Sequence, residues 1–352
     1  MAVTAVVTAT AAGCFAGPAE PAGSAGPARS DGSSPASAAA TFSNPVHAAN
    51  FPDPGVLAVD GRYYAYGTNN MTGIRVAPGR RNAQLLTSTD LVHWADGGDV
   101  LPELGPWATP GETWAPEALR LAPDRFVLYY SATSVATRRQ CVGRAVATTP
   151  GGPFRDPYPQ PLLCQAQDGG SIDASPFRDR DGVLYLHWKN DGNAVGQPTR
   201  LYAQRLAEDG VELAGEPAVL LTAGAAWHGG LIEAPQLHLH DGRYYLFYSA
   251  NGYTSDAYAI GYAACDGPLG PCRDAAENPI LTSGAAAAGP GHCSVFAGPD
   301  GETWMLYHAW RPDSIGLVDP GRRLWLDRVT WTDGRPVVHG PTADPQPMPT
   351  AH

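Results

Sequence analysis

Asp53, Asp173 and Glu233 each stand in an apolar setting: Phe51-Pro52-Asp53-Pro54-Gly55, Ser171-Ile172-Asp173-Ala174-Ser175 and Leu231-Ile232-Glu233-Ala234-Pro235. Carboxyl groups brought together in this way suit the hydrolysis of a glycosidic bond. One carboxylic acid gives a proton to the leaving oxygen, and one carboxylate activates water or attacks directly. A third carboxylate nearby raises the pKa of the acid by like-charge repulsion and fixes its rotamer. Glu233, the longer side chain, lies between Ile232 and Ala234, where desolvation favours the protonated form, so it is the better acid candidate. Asp53, flanked by two prolines in a turn-like setting, is expected to stay ionised.

Residues this far apart meet only if the fold repeats. Asp173 follows Asp53 by two steps of about 60 residues, and Glu233 and His292 each follow by one more. Trp114 with Glu117 occupies the missing step. Downstream of each lies a tight turn and an aromatic strand: Asp60-Gly61-Arg62-Tyr63-Tyr64, Asp124-Arg125-Phe126-Val127-Leu128, Asp181-Gly182-Val183-Leu184-Tyr185, Asp241-Gly242-Arg243-Tyr244-Tyr245 and Asp300-Gly301-Glu302-Thr303-Trp304. Asp-Gly before alternating apolar residues is a hairpin signal. Five such units at a constant period predict an all-β chain folded as a five-bladed β-propeller, whose innermost strands line a central channel. The common register predicts that three carboxylates and the His292 imidazole converge on that axis. Trp114 and Phe51 are expected to stack on sugar rings, with Glu117 and His292 as further substrate contacts.

The composition agrees. The chain has 352 residues, 41 Gly and 34 Pro, as many turns require, and 15 Tyr and 9 Trp for strand faces and a carbohydrate cleft. A net charge of −11 argues against nucleic acid as the partner, because nothing offers a basic patch. No apolar run is long enough to span a bilayer beyond the extreme N-terminus. Residues 1–42 read as a leader and flexible tether: Met1 to Gly13 resembles the apolar part of a signal peptide, and an Ala/Gly/Pro/Ser stretch follows. Ala11-Ala12-Gly13-Cys14 resembles a bacterial lipobox, making Cys14 a candidate lipid anchor and the protein secreted or a cell-surface lipoprotein. The propeller is expected over 43–342, as a monomer, with a loose tail over 343–352. Cys141 and Cys164 bracket one hairpin-sized segment, and Cys265 and Cys272 a shorter one; local pairing of each is expected in an exported chain. Cys293 is left as a buried small hydrophobe.

Over roughly Asn44 to Thr342 the chain resembles the family 43 glycoside hydrolases. The motifs carrying the resemblance are the Asp53 segment, Trp114-Ala115-Pro116-Glu117, Ser171-Ile172-Asp173-Ala174-Ser175-Pro176-Phe177, Glu233-Ala234-Pro235 and Gly289-Pro290-Gly291-His292. Ala234 departs from the glycine often found there. The resemblance implies an inverting glycosidase with Asp53 as general base, Asp173 as pKa modulator and Glu233 as general acid. It implies Arg322 as a sugar contact and, in arabinan-active members, a structural calcium or similar cation on the axis beside His292, with no cofactor needed for the chemistry. It favours α-L-arabinofuranosidic linkages of plant cell-wall polysaccharide as substrate; β-xyloside cleavage, or a non-catalytic glycan-binding propeller, are the alternatives. Arg155-Asp156-Pro157 resembles a motif of sucrose- and fructan-cleaving propellers but lies out of register with the ring.

Overall fold

The computed structural model describes residues 40–69 and 79–350. The leader, including Cys14, lies outside the described residues. A short strand β1 (Thr41–Phe42) precedes five antiparallel sheets. Blade one holds β2 (Gly55–Val59), β3 (Arg62–Gly67), β4 (Gln84–Ser88) and β5 (Ala95–Asp99). Blade two holds β6 (Ala108–Ala122), β7 (Arg125–Ser134) and β8 (Gln140–Ala147). Blade three holds β9 (Ser171–Arg178), β10 (Leu184–Asn190), β11 (Arg200–Leu206) and β12 (Leu213–Thr222). Blade four holds β13 (Ile232–His240), β14 (Arg243–Ala250), β15 (Ala259–Cys265) and β16 (Cys272–Asp274). Blade five holds β17 (Ala288–Ala297), β18 (Thr303–Trp310), β19 (Arg323–Thr332) and β20 (Arg335–Val338), and β21 (Gln346–Pro347) ends the order. The five sheets form a five-bladed β-propeller, and the only helical elements among the described residues are 3₁₀ turns of three or four residues.

Second strands read as continuous apolar runs because both of their faces are covered. In β14, Tyr244, Leu246 and Tyr248 pack with Leu201, Ala203 and Leu237 in the seam between blades three and four. Tyr245 and Phe247 turn the other way, onto Val295, Met305 and Tyr307 of blade five. Period-two alternation thus feeds two different seams. An apolar cluster occupies each of the five seams in this way. The Asp-Gly turns are tight: Asp60 and Gly61 both have positive φ (50° and 77°), as do Asp241 and Gly242 (47° and 74°), the backbone of a type I′ hairpin.

Blade two lacks a regular fourth strand. Its outer edge is covered by the segment bridging Val146 to Arg155 and Val142 to Leu163, and the Cys141–Cys164 disulfide fastens that segment. Cys265–Cys272 closes the β15–β16 hairpin, so both local pairings are present. Cys293 is buried without a disulfide, and burial pushes its thiol up to about 12.

Among the described residues no blade borrows a strand from the other end of the chain, so the described ends of the chain pair separately. Strand β1 pairs with β21, and Met348 N–H donates to Ala40 O at 3.0 Å. The segment expected as a loose tail therefore does not hang free at 346–348, and ordered pairing begins inside the expected tether. The physical reason is a buried polar clasp. Asn44 Nδ2 donates to Leu326 O (2.8 Å), Asp327 Oδ1 (3.1 Å) and Thr342 O (3.1 Å), while its Oδ1 accepts from Leu326 N–H at 2.8 Å. Gln346 Nε2 reaches the same Asp327 oxygen at 2.8 Å, and Tyr307 donates to the other.

Asn44→Ala leaves several of these groups without partners. At about 1–3 kcal/mol for each buried group left unsatisfied, it is expected to cost roughly 2–4 kcal/mol in urea denaturation, with kcat/KM of the folded fraction unchanged.

Candidate active site

The innermost strands share one backbone device. Asp53, Ala115, Asp173, Ala234 and His292, one per blade, have φ of 55°, 45°, 57°, 55° and 46°. This left-handed region costs an L-residue about 1–2 kcal/mol, so it is held by something. Each of the five backbone N–H groups is caught by a side chain. The acceptor is Thr68 Oγ1 for Ala115 (2.8 Å), Ser131 Oγ for Asp173 (3.3 Å), Ser249 Oγ for His292 (2.8 Å) and His308 Nδ1 for Asp53 (3.1 Å). These four acceptors belong to the second strand, or its end, of the preceding blade, and His308 ties blade five to blade one. Ala234 differs: its N–H goes to Asp173 Oδ2 at 2.9 Å.

This ring corrects the register expected from sequence. Blade two contributes Ala115, between the expected Trp114 and Glu117, and blade four contributes Ala234. Glu233 precedes the left-handed residue by one, and it is this offset that its side chain uses to reach the cleft from the neighbouring position. A one-residue shift is invisible in a period of about 60, yet it reverses which way a strand side chain points.

The axis opens into a cleft of about 580 Å³ whose walls include Asp53, Trp114, Asp173, Glu233, His292 and Arg322. The structure thus brings together six of the eight residues singled out as catalytic or substrate-binding. Phe51 is not among them: its ring is buried in the seam between blades five and one, beneath Gly67, and presents no face for stacking. Glu117 is also withdrawn. It lies beside Gly55 and accepts from Ser175 Oγ at 2.9 Å. Burial, opposed by the nearby His292 and the Ser175 hydrogen bond, pushes its carboxyl up to about 7. Asp156 of the out-of-register Arg-Asp-Pro accepts from Trp107 Nε1 (3.0 Å) and Tyr130 O–H (2.7 Å), a core role away from the cleft.

Asp53, Asp173 and Glu233 sit in different fields. Burial by itself would raise Asp53, but Arg322 Nη1 at 2.6 Å and the His308 and His292 rings outweigh it and hold the carboxyl well below the usual carboxylate range. Thr68 Oγ1 donates to its other oxygen at 2.6 Å. Asp173 has no such cation. Desolvation, reinforced by the charges of Glu233 and Asp53 and opposed by His292 and Lys189, raises it to about 6. Glu233 accepts from Tyr258 O–H at 2.7 Å on Oε1 and from Lys189 Nζ at 3.0 Å on Oε2. The Tyr258 ring stacks on His308, centroids 5.9 Å apart, so the group holding Glu233 packs on the group holding Asp53. Arg322 is itself seated over Tyr253 (4.8 Å) and Trp310 (5.9 Å).

Thr68, Lys189, Tyr258 and His308 were not singled out from sequence. Three of them carried a signal: Thr68, Lys189 and His308 each follow their turn aspartate by the same interval, and each interrupts or ends an aromatic strand. Tyr258 carried none. As for a metal, no group of three or more His, Cys, Asp or Glu among the described residues converges to hold one. His292 Nδ1 faces Asp53 Oδ1 at 3.6 Å, and calcium takes six to eight oxygens, so the side chains beside His292 do not by themselves form a calcium cage.

The raised carboxyl of Glu117 makes a stability prediction. Its folded pKa lies above the unfolded value, so the cost of ionising it in place is absent below about pH 4.5 and fully present above about pH 7. Glu117→Gln, which keeps the Ser175 contact, is expected to raise Tm at pH 8 and leave it unchanged at pH 4 in thermal melts.

The family model "Glycosyl hydrolases family 43" matches residues 42–336. A Beta-D-galactofuranosidase xynD of Aspergillus niger is 26% identical over 75% of this chain and 75% of its own length. A probable arabinan endo-1,5-alpha-L-arabinosidase C of Aspergillus flavus is 26% identical, covering 81% of this chain and 90% of its own length. Other curated relatives are longer, and this chain spans 44–57% of them. Among solved structures, a thermostable family-43 glycoside hydrolase superposes with a TM-score of 0.78 and 33% identity, covering 89% of this chain and all of that one.

Proposed function

The chain belongs to glycosyl hydrolases family 43 and is a glycosidase, and from that premise we propose that it hydrolyses α-L-arabinofuranosidic linkages of arabinan or arabinose-decorated cell-wall polysaccharide with inversion. The observation that carries the reading is the division of the cleft into two hydrogen-bonded sets. Arg322, Thr68 and His308 hold Asp53, and Lys189 and Tyr258 hold Glu233, with Asp173 electrostatically coupled to both.

In this reading Glu233 gives its proton to the glycosidic oxygen as the C1–O bond breaks, and the bond's electron pair goes to that oxygen. A water on the opposite face attacks C1 and passes a proton to Asp53. Asp53 is suited to this because its guanidinium partner keeps it ionised through the acid range. Asp173 accepts the Ala234 N–H at 2.9 Å, next to Glu233 in the chain, and so orients the acid. Trp114 supplies a ring face and Arg322 a sugar contact. The linkage follows the family resemblance, supported by a relative named as a probable arabinan endo-1,5-alpha-L-arabinosidase. Two disulfides fit an exported chain, and lipidation at Cys14 belongs to the same proposal.

Aryl arabinofuranosides and xylosides, assayed beside arabinan and xylan, test the substrate. Asp53→Asn is expected to lose about 10²–10⁴ in kcat on activated and natural substrates alike, whereas Glu233→Gln spares an activated leaving group. Proton NMR of the first-formed sugar is expected to show the inverted anomer; a retained anomer refutes the mechanism.

Arg322→Met tests the charge logic. With the guanidinium gone, burial acts on Asp53 with less opposition, so its pKa rises. The acid limb of the kcat/KM profile is expected to move to higher pH, with activity at pH 5 falling more than at pH 7; parallel profiles contradict the assignment.

A further inference from the structure

Lys189 is the only lysine among the 23 Lys and Arg residues of this chain. It is also fully buried, and its ammonium sits 3.0 Å from Glu233 Oε2 and 3.9 Å from Asp191 Oδ1. Its place in the repeat explains why a lysine there has consequences. Thr68, Ser131, Ser249 and His308 stand at the equivalent second-strand positions, and each accepts the N–H of the next blade's left-handed residue. An ammonium has three donors and no acceptor, so Lys189 cannot do this for Ala234. The Ala234 N–H turns to Asp173 Oδ2 instead, at 2.9 Å. One departure from the repeat therefore pins Asp173 to the strand that carries Glu233 and sets a fixed cation behind Glu233. A planar guanidinium is no substitute for a compact ammonium at such a site.

Resting on the reading of Glu233 as the acid, we propose that Lys189 is a positioning residue for proton donation: its ammonium stabilises the Glu233 carboxylate that appears as the proton passes to the leaving oxygen, and so sets the enzyme's competence on unactivated glycosides. The bonds made and broken in hydrolysis are unchanged, and Lys189 itself transfers no proton. Its effect is greatest where the leaving group needs a full proton and small where the leaving group departs as a stable anion.

The test is kcat and KM of Lys189→Met and Lys189→Gln on an arabino-oligosaccharide and on nitrophenyl arabinofuranoside, with Tm and Glu233→Gln in parallel. Lys189→Gln retains a neutral donor and guards against a Met variant that fails to fold. The expected result is a kcat loss of about 10²-fold on the oligosaccharide and under about 5-fold on the aryl glycoside, at similar KM, for both Lys189 variants. Equal losses on both substrates, as a merely structural role gives, overturn the proposal, as does full activity of Lys189→Gln on the oligosaccharide. If Glu233→Gln discriminates between the leaving groups and the Lys189 variants do not, the role of Lys189 fails alone. If Glu233→Gln does not discriminate, the acid assignment itself fails.

Discussion

Five left-handed residues around one axis, each with its N–H held by the neighbouring blade, are the constraint on which this molecule turns. Each costs about 1–2 kcal/mol in backbone sterics, and a buried hydrogen bond returns roughly 0.5–1.5 kcal/mol net. The two are of similar size, so the conformation persists because the seams around it are packed. The apolar clusters between blades supply that packing. In exchange, the strands bend at the axis, and the side chains of Asp53, Asp173 and His292 point into the cleft from three separate blades.

The ring is symmetric in backbone and asymmetric in charge. Asp53 and Asp173 have nearly the same φ, 55° and 57°, and both are buried, yet one lies well below the usual carboxylate range and the other near 6. Their surroundings differ by one guanidinium and one ring. Arg322 and His308 come from blade five and face Asp53 alone. Burial raises any carboxylate, and a cation in contact or hydrogen bonds to the charged form reverse that. Glu117, without such a cation, goes to about 7 by the same rule.

Aromatic residues carry this charge pattern to the right places. Tyr253 and Trp310 seat Arg322, and Tyr258 spans from His308 to Glu233. Blades four and five thereby position groups around both carboxylates, which couples the Glu233 set to the Asp53 set through packing.

The sequence alone determined the all-β class, the five blades, the disulfide pairs and the presence of Asp53, Asp173, Glu233, His292 and Trp114 in one cleft, and the family resemblance added Arg322. Those features follow from period, turn chemistry and motif, which are written locally in the chain. Tertiary structure alone decided the rest. It placed Ala115 and Ala234, not their neighbours, at the ring positions, because a single-residue bulge changes side-chain direction without changing the repeat length. It buried Phe51 and withdrew Glu117, because whether an aromatic or a carboxyl faces a cleft depends on what packs above it, here Gly67 and Gly55. It closed the ring through Asn44, Asp327 and Gln346, whose partners lie up to 298 residues away. And it set Lys189 and Tyr258 on Glu233, since the charge a carboxylate feels is decided by groups within a few ångströms in space, wherever they fall in the chain.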